Sequence, residues 1–199
     1  MLDGLYHRHM AARGPYAKST QTRNQILTAA LGLISHGGYS SASLQQIADA
    51  VGMTKAGLLH HFGSREGLFT AILERRDQID TEDIEAGDQV DGFIRLAEHN
   101  SKVAGLVALF SAITGMGASE PEDSASRIFT EVHYARIVPI LTGAIARRQQ
   151  NGEIVPGVDP LSLARLLVAA TDGLQTQWLL DPTIDMRAEL EVLLHSFRP

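Results

Sequence analysis

The chain has 199 residues, no cysteine, and a formal net charge of −6 from 17 Lys plus Arg against 23 Asp plus Glu. Its 44% apolar content suffices for a folded core and excludes a disordered class. The absence of cysteine excludes a disulfide framework, a thiolate zinc site and a Cys nucleophile.

Taken in chain order, residues 1–18 hold two Gly, a Pro and the basic residues Arg8, Arg13 and Lys18, with no sustained apolar period. They read as a flexible basic arm that could lie on phosphates or in a minor groove. No apolar run precedes a small-residue cleavage site, so no signal peptide is expected, and the expected location is the cytoplasm. A first helix is expected behind a Ser19/Thr20 cap, from Ile26, Leu27, Ala30, Leu33 and Ile34, and should stop at Gly37-Gly38. Ser43 starts a second, short helix carrying Leu44, Ile47, Ala48 and Val51, which ends at Gly52. Thr54 caps a third, with Leu58 and Phe62 on one face. Ser64 caps a fourth, in which Leu68, Phe69, Ile72 and Leu73 run into a highly charged stretch ending near Glu85. Two short helices joined at Gly52 have the pattern of a helix-turn-helix.

The rest also reads as helix. Phe93, Ile94 and Ala97 mark one helix, and Val103 to Met116 should be a central buried one, apolar on nearly every side. The longest uncharged stretch, Val103 to Ser119, has 17 residues, short of the ~20 a membrane span needs. Pro121 suits the first turn of the next helix, which runs to Gly152 and should loosen at Pro139. Leu161 to Leu180 and Met186 to Phe197 are the last two. The expected fold is all-α, with about nine helices: residues 19–66 a three-helix DNA-binding unit, residues 67–199 a ligand-binding and dimerisation domain.

Charge is distributed unevenly. Met1 to Glu66 carries +3 and five His, whereas the remainder carries −9. A basic end on an acidic body suits a polyanion such as DNA.

Thr22-Arg23, Ile26-Leu27, Ala29-Ala30, Leu33 and Gly37, followed by Ser43, Ile47-Ala48 and the run from Val51 to Leu68, resemble the TetR family of transcriptional regulators over roughly residues 20–70. Glu153-Ile154, Gly173-Leu174 and Trp178 to Pro182 resemble patterns common in its C-terminal domains. The resemblance implies a helix-turn-helix that binds a palindromic double-stranded DNA operator as a homodimer. It also implies a small-molecule effector among the C-terminal helices that moves the DNA-binding heads. Two residues depart from the family pattern. Leu59 stands where an aromatic, most often Tyr, is usual, so only apolar contact, for instance with a thymine methyl, is available there. Gly67 stands where the fourth helix usually has a second Glu, which removes half of a capping box.

A recognition helix enters the major groove by its N-terminal residues, which brings Thr54, Lys55, Ala56, Gly57 and Leu59 nearest the DNA. Lys55 is the only long donor among them. His60 and His61 resemble the family's phosphate-contacting pair, and the free amides of the helix capped by Ser43 favour a phosphate. Gln45 and Gln46 are secondary candidates. Neighbouring helical residues point about 100° apart, and no third ligand is at hand, so His60-His61 carries no metal expectation. No cofactor is expected.

Polar residues among apolar ones are what an orienting ligand pocket needs. The candidate walls are Phe93, Leu106, Phe110, Ile113, Phe129, His133, Tyr134, Gln175 and Trp178, although aromatic stripes at this spacing are usually core. The helix from Leu161 is apolar nearly all round and should be covered by a partner subunit, with Ala169, Ala170 and Gly173 allowing close approach. Met186, Leu190, Leu193, Leu194 and Phe197 should add the second helix of a four-helix dimer interface. A TetR-like protein without operator binding is one alternative. A helical hydrolase using His36, His60 or His61 is another, but it lacks any nucleophile–base pattern.

Overall fold

The computed structural model describes residues 15–37, 43–85, 87–100 and 104–199. Among them are nine α-helices and no strand: α1 (Pro15–Gly37), α2 (Leu44–Ala50), α3 (Lys55–Phe62), α4 (Arg65–Glu85), α5 (Gln89–Asn100), α6 (Ala104–Gly117), α7 (Ala125–Gln150), α8 (Pro160–Leu180) and α9 (Met186–His195). The all-α expectation is met. Most of the basic arm lies outside the described residues, but α1 is already helical at Pro15, ahead of the expected Ser19/Thr20 cap. Proline needs no N–H partner in a first turn, so it suits that start.

Two apolar clusters organise the chain. The first joins Ile26, Ala30 and Ile34 of α1, Ile47 of α2, Leu58 of α3 and Leu68 to Leu73 of α4. It does not close at residue 66, because Leu106, Leu109, Phe110 and Ile113 of α6 and Phe129 of α7 belong to it. The second is built on α5, α7, α8 and α9, with Ile137, Leu141, Leu163, Leu167, Trp178, Leu190 and Leu194 among its members. Helix α4 contributes to both. Its first half supplies Leu68, Phe69, Ile72 and Leu73 to one, and Ile84 reaches the other.

Local chemistry sets the helix boundaries. Gly52 joins α2 to α3 at φ 66°, a left-handed conformation in which a Cβ costs energy. Ser124 caps α7 by accepting the Arg127 N–H at 3.2 Å, so Pro121 lies in the preceding loop and not in the helix. Pro139 does not end α7, which continues to Gln150. Asp159 caps α8 with Pro160 in its first turn. Arg148 near the end of α7 donates to Asp88 and Asp91, both at 2.7 Å, and so ties α7 to the start of α5.

The start of α4 resolves the missing capping box. Ser64 Oγ accepts the Gly67 N–H at 2.9 Å. The Ser64 N–H, which a Glu at position 67 would serve, donates instead to the Phe62 carbonyl at 2.9 Å. That carbonyl comes so close that a Cβ on Gly67 would stand 2.3 Å from its oxygen. Gly67 therefore lets the end of α3 fold tightly onto α4. Gly67→Ala should lower the unfolding free energy by about 1–3 kcal/mol through overpacking, despite the ~1 kcal/mol that Ala gains over Gly in a helix. Denaturant unfolding checks this, and a stabilised variant would contradict it.

Candidate DNA-reading helix and effector cavity

Helix α3 projects its first turn into solvent. Thr54, Lys55 and Ala56 are exposed, and Thr54 Oγ1 accepts the Gly57 N–H at 3.1 Å. Gly57 is half-buried, and a Cβ there would press on the Thr54 hydroxyl at 3.3 Å. Leu58 is fully buried and anchors the helix. Leu59 is half-buried and stands outside the core cluster, His60 is exposed and His61 half-buried. The far end of α3 is held by Arg23, whose role sequence reasoning missed. Its Nη1 donates to the His61 carbonyl at 3.1 Å, and its guanidinium lies 4.5 Å from the centre of the Phe62 ring. That bond satisfies one of the carbonyls a helix end leaves unpaired.

Ser43 is exposed and is the N-cap of α2. Its hydroxyl accepts the Gln46 N–H at 3.2 Å, and Gln46 Oε1 accepts the Ser43 N–H at 2.9 Å. Gln46 is thereby engaged within its own helix, and Gln45 donates to Asp49 at 2.8 Å. Both secondary candidates have local partners. Among the described residues no group of three His, Cys, Asp or Glu could hold a metal ion, and no helix is long and apolar enough to cross a membrane.

A narrow cavity of about 50 Å³ lies between α4, α5, α6, α7 and α8. Of the expected walls, Phe93, Phe110, His133 and Gln175 line it. Leu106, Ile113, Phe129 and Trp178 do not. They are buried in the two apolar clusters, where large side chains at helical spacing usually belong. Tyr134 reaches the cavity only through Asp172, to which its hydroxyl donates at 2.7 Å.

The polar lining of α4 was missed. Arg76, Asp77, Asp80 and Thr81 all face the cavity, with Arg76 and Asp77 buried. They continue the helical stripe of Leu68, Phe69, Ile72 and Leu73 down to Ile84, so the signal was a charged run in phase with an apolar face. Arg76 Nε pairs with Asp80 at 3.0 Å. His133 Nδ1 and Asp77 Oδ2 share a hydrogen bond of 2.6 Å. The His133 ring also packs on Phe110 at 4.9 Å and on Phe129 at 5.9 Å between centroids. Among the described residues, two buried side-chain polar atoms have no hydrogen-bond partner: Arg76 Nη1 and Gln175 Oε1.

Glu66 completes the arrangement. Its Oε1 accepts the Ser126 N–H at 2.7 Å in the first turn of α7. A carboxylate there satisfies an orphan amide and meets the positive end of the helix dipole. Helix α4 is thus held to α7 at Glu66 and again at Asp77.

Burial pushes the Asp172 and Asp80 carboxyls above the ordinary carboxylate range. The Tyr134 hydroxyl opposes the shift at Asp172, and Arg76 opposes it at Asp80. Burial, together with the Asp172 charge, also raises the Tyr134 hydroxyl. A raised acid holds its proton more tightly folded than unfolded. Its contribution to stability is therefore present below the unfolded value and is lost as pH rises through the folded one. Asp172 therefore supports the folded chain less at neutral pH than in acid. Asp172→Asn keeps an oxygen for Tyr134 and should raise the melting temperature at neutral pH, with the gain shrinking towards acid pH. A melting series against pH checks both directions, and a variant less stable at neutral pH would contradict this.

Comparison with known proteins agrees with this geometry. Residues 26–72, from α1 through the first part of α4, match the model for bacterial regulatory proteins of the tetR family. The regulator UidR of Escherichia coli (strain K12) is 30% identical over 157 residues, covering 76% of this chain and 79% of that protein. The A-factor receptor protein of Streptomyces griseus is 27% identical over 80% of this chain and 55% of that protein. A TetR-family regulator from Agrobacterium tumefaciens shares the fold with a TM-score of 0.70 at 19% identity, covering 91% of this chain and 100% of that one. NalD, the secondary repressor of the MexAB-OprM multidrug efflux pump in Pseudomonas aeruginosa, shares it at 0.58 and 24% identity, covering 89% and 95%. With the helix-turn-helix, its anchoring to α4 and this likeness along most of its length, the chain belongs to the TetR family of transcriptional regulators.

Proposed function

We propose that this regulator is a ligand-responsive repressor that binds a palindromic operator as a homodimer and is released by a small molecule bound in the cavity. The observation that carries the reading is that α4 walls the cavity and also packs against the helix-turn-helix. A ligand larger than the cavity of about 50 Å³ must part the helices around it. If α4 moves, α1, α2 and α3 move with it, because they share one apolar cluster. NalD, which shares the fold, is itself a repressor, and that agrees with this direction of control.

On the DNA side, Thr54, Lys55, Ala56, Gly57 and Leu59 are the base-side contacts in this reading. Ser43, His60 and His61 are the phosphate-side ones. Residues 19–66 form the reading head and 67–199 the effector and dimer part. Lys55→Ala should weaken operator binding by about 1–3 kcal/mol and relax preference at one position. A gel-shift against DNA from the protein's own upstream region measures this. Unchanged affinity across operator variants would remove Lys55 from the reading.

Helix α8 supports a dimer. Arg165, Leu166, Ala169, Gly173, Thr176 and Leu180 form one exposed stripe along it, with Leu166 52% and Leu180 85% exposed. The expectation for α9 needs correction. Met186, Leu190 and Leu194 face the chain's own core, Leu193 and Phe197 pack against it, and Val192 is the exposed apolar residue. The last two helices remain the proposed seam, with α8 supplying most of its apolar surface. Two heads held by it would address half-sites about 34 Å apart or more. Ala169→Glu would bury an unpaired charge in that seam, at a cost of about 3–5 kcal/mol. The variant should sediment as a monomer or aggregate and lose operator binding with α3 intact. A stable dimer of normal affinity would contradict the seam.

A further inference from the structure

We propose that the cavity takes an uncharged, mainly apolar molecule bearing an acceptor oxygen beside a donor N–H, as in an aliphatic carboxamide, with the oxygen on Arg76 Nη1 and the N–H on Gln175 Oε1. The inference rests on the cavity being the effector site.

Arg76 is 9% exposed and Gln175 4% exposed, and the two atoms named are buried without a hydrogen-bond partner. A buried polar group left unpaired is costly, and native chains keep few of them. One unpaired donor and one unpaired acceptor on the walls of one cavity call for a ligand group that offers both complements.

The charges on the lining argue against an ion of either sign. Asp80 is paired with Arg76 at 3.0 Å, Asp77 with His133 at 2.6 Å, and Asp172 receives the Tyr134 hydroxyl at 2.7 Å. A cation finds Asp80 and Asp77 already engaged and brings no acceptor for Arg76 Nη1. An anion at Arg76 meets a guanidinium already neutralised by Asp80, with two further carboxylates on the same walls. Arg136 also lines the cavity, but it is half-exposed, where water screens its charge. The rest of the lining, including Ile84, Phe93, Phe110 and Val168, is apolar and suits the hydrocarbon part of such a molecule.

The test titrates the full-length protein with three probes of like size and different charge: butyramide, butyrate and butylammonium. Binding is followed by NMR. Butyramide should bind at least about tenfold more tightly than either ion, the scale of one satisfied buried hydrogen bond. Gln175→Leu should bring the three to within about twofold of one another, and its ligand-free form should melt higher because a buried unpaired acceptor is gone. Gln175→Met, whose flexible chain fills the same space, provides the comparison if the Leu variant fails to fold. An ion that binds as tightly as butyramide, or a preference that survives in either variant, overturns the assignment of ligand class and leaves the effector site standing. Binding by none of the three overturns the effector site itself.

Discussion

One helix carries two loads. The 21 residues of α4 span about 30 Å at 1.5 Å per residue. Leu68, Phe69, Ile72 and Leu73 lock its first half to α1 and α3, while Arg76, Asp77, Asp80 and Thr81 wall the cavity with its second. A continuous helix is stiff along its axis, so its two halves do not move independently. Glu66 and Asp77 fasten it to α7 at two heights, through the Ser126 amide and the His133 ring. The His133 ring in turn packs on Phe110 and Phe129. Asp77 and His133 both line the cavity, so the bond between them joins its walls to the helix that packs on the helix-turn-helix.

The two ends differ in how fully their polar groups are satisfied. Around α3 the helix ends are capped: Thr54 takes up the Gly57 amide, Arg23 serves the His61 carbonyl, and Ser64 takes up the Gly67 amide where α4 begins. Around the cavity they are not, since Arg76 Nη1 and Gln175 Oε1 stay unpaired and the Asp172 and Asp80 carboxyls are held above their usual range by burial. A satisfied end keeps its shape, and an unsatisfied one gains by binding. That division supports the proposal that one end reads DNA and the other takes a small molecule.

The sequence revealed these ends unequally. The helix-turn-helix was legible because its residue types are fixed by geometry: a cap at Ser43 and Thr54, a left-handed Gly52, a buried Leu58. The cavity was half legible. Phe93 and Phe110 follow from apolar periodicity, and His133 and Gln175 from being polar among apolar neighbours, but the same periodicity also picked out Leu106, Ile113, Phe129 and Trp178, which are buried in the clusters and do not line the cavity. Periodicity reports burial and does not separate a core from a wall. Arg76, Asp77 and Asp80 escaped because a charged run normally marks a solvated face. Here α5, α6, α7 and α8 close around it, and only its phase with Leu73 and Ile84 betrayed that. Gly67 read as a lost half of a capping box, because nothing local shows the Phe62 carbonyl pressing on it.

The coupling through α4 is tested most directly by filling the cavity from the wall that faces it. Val168 on α8 is buried and lines the cavity that α4 also walls. Val168→Phe adds volume there without touching α3 or the exposed stripe of α8. Operator affinity of the folded, dimeric variant is the quantity to measure. It should fall, because the added ring pushes on α4 in the way a bound effector would. A Val168→Phe dimer that binds its operator as tightly as the parent would contradict the account.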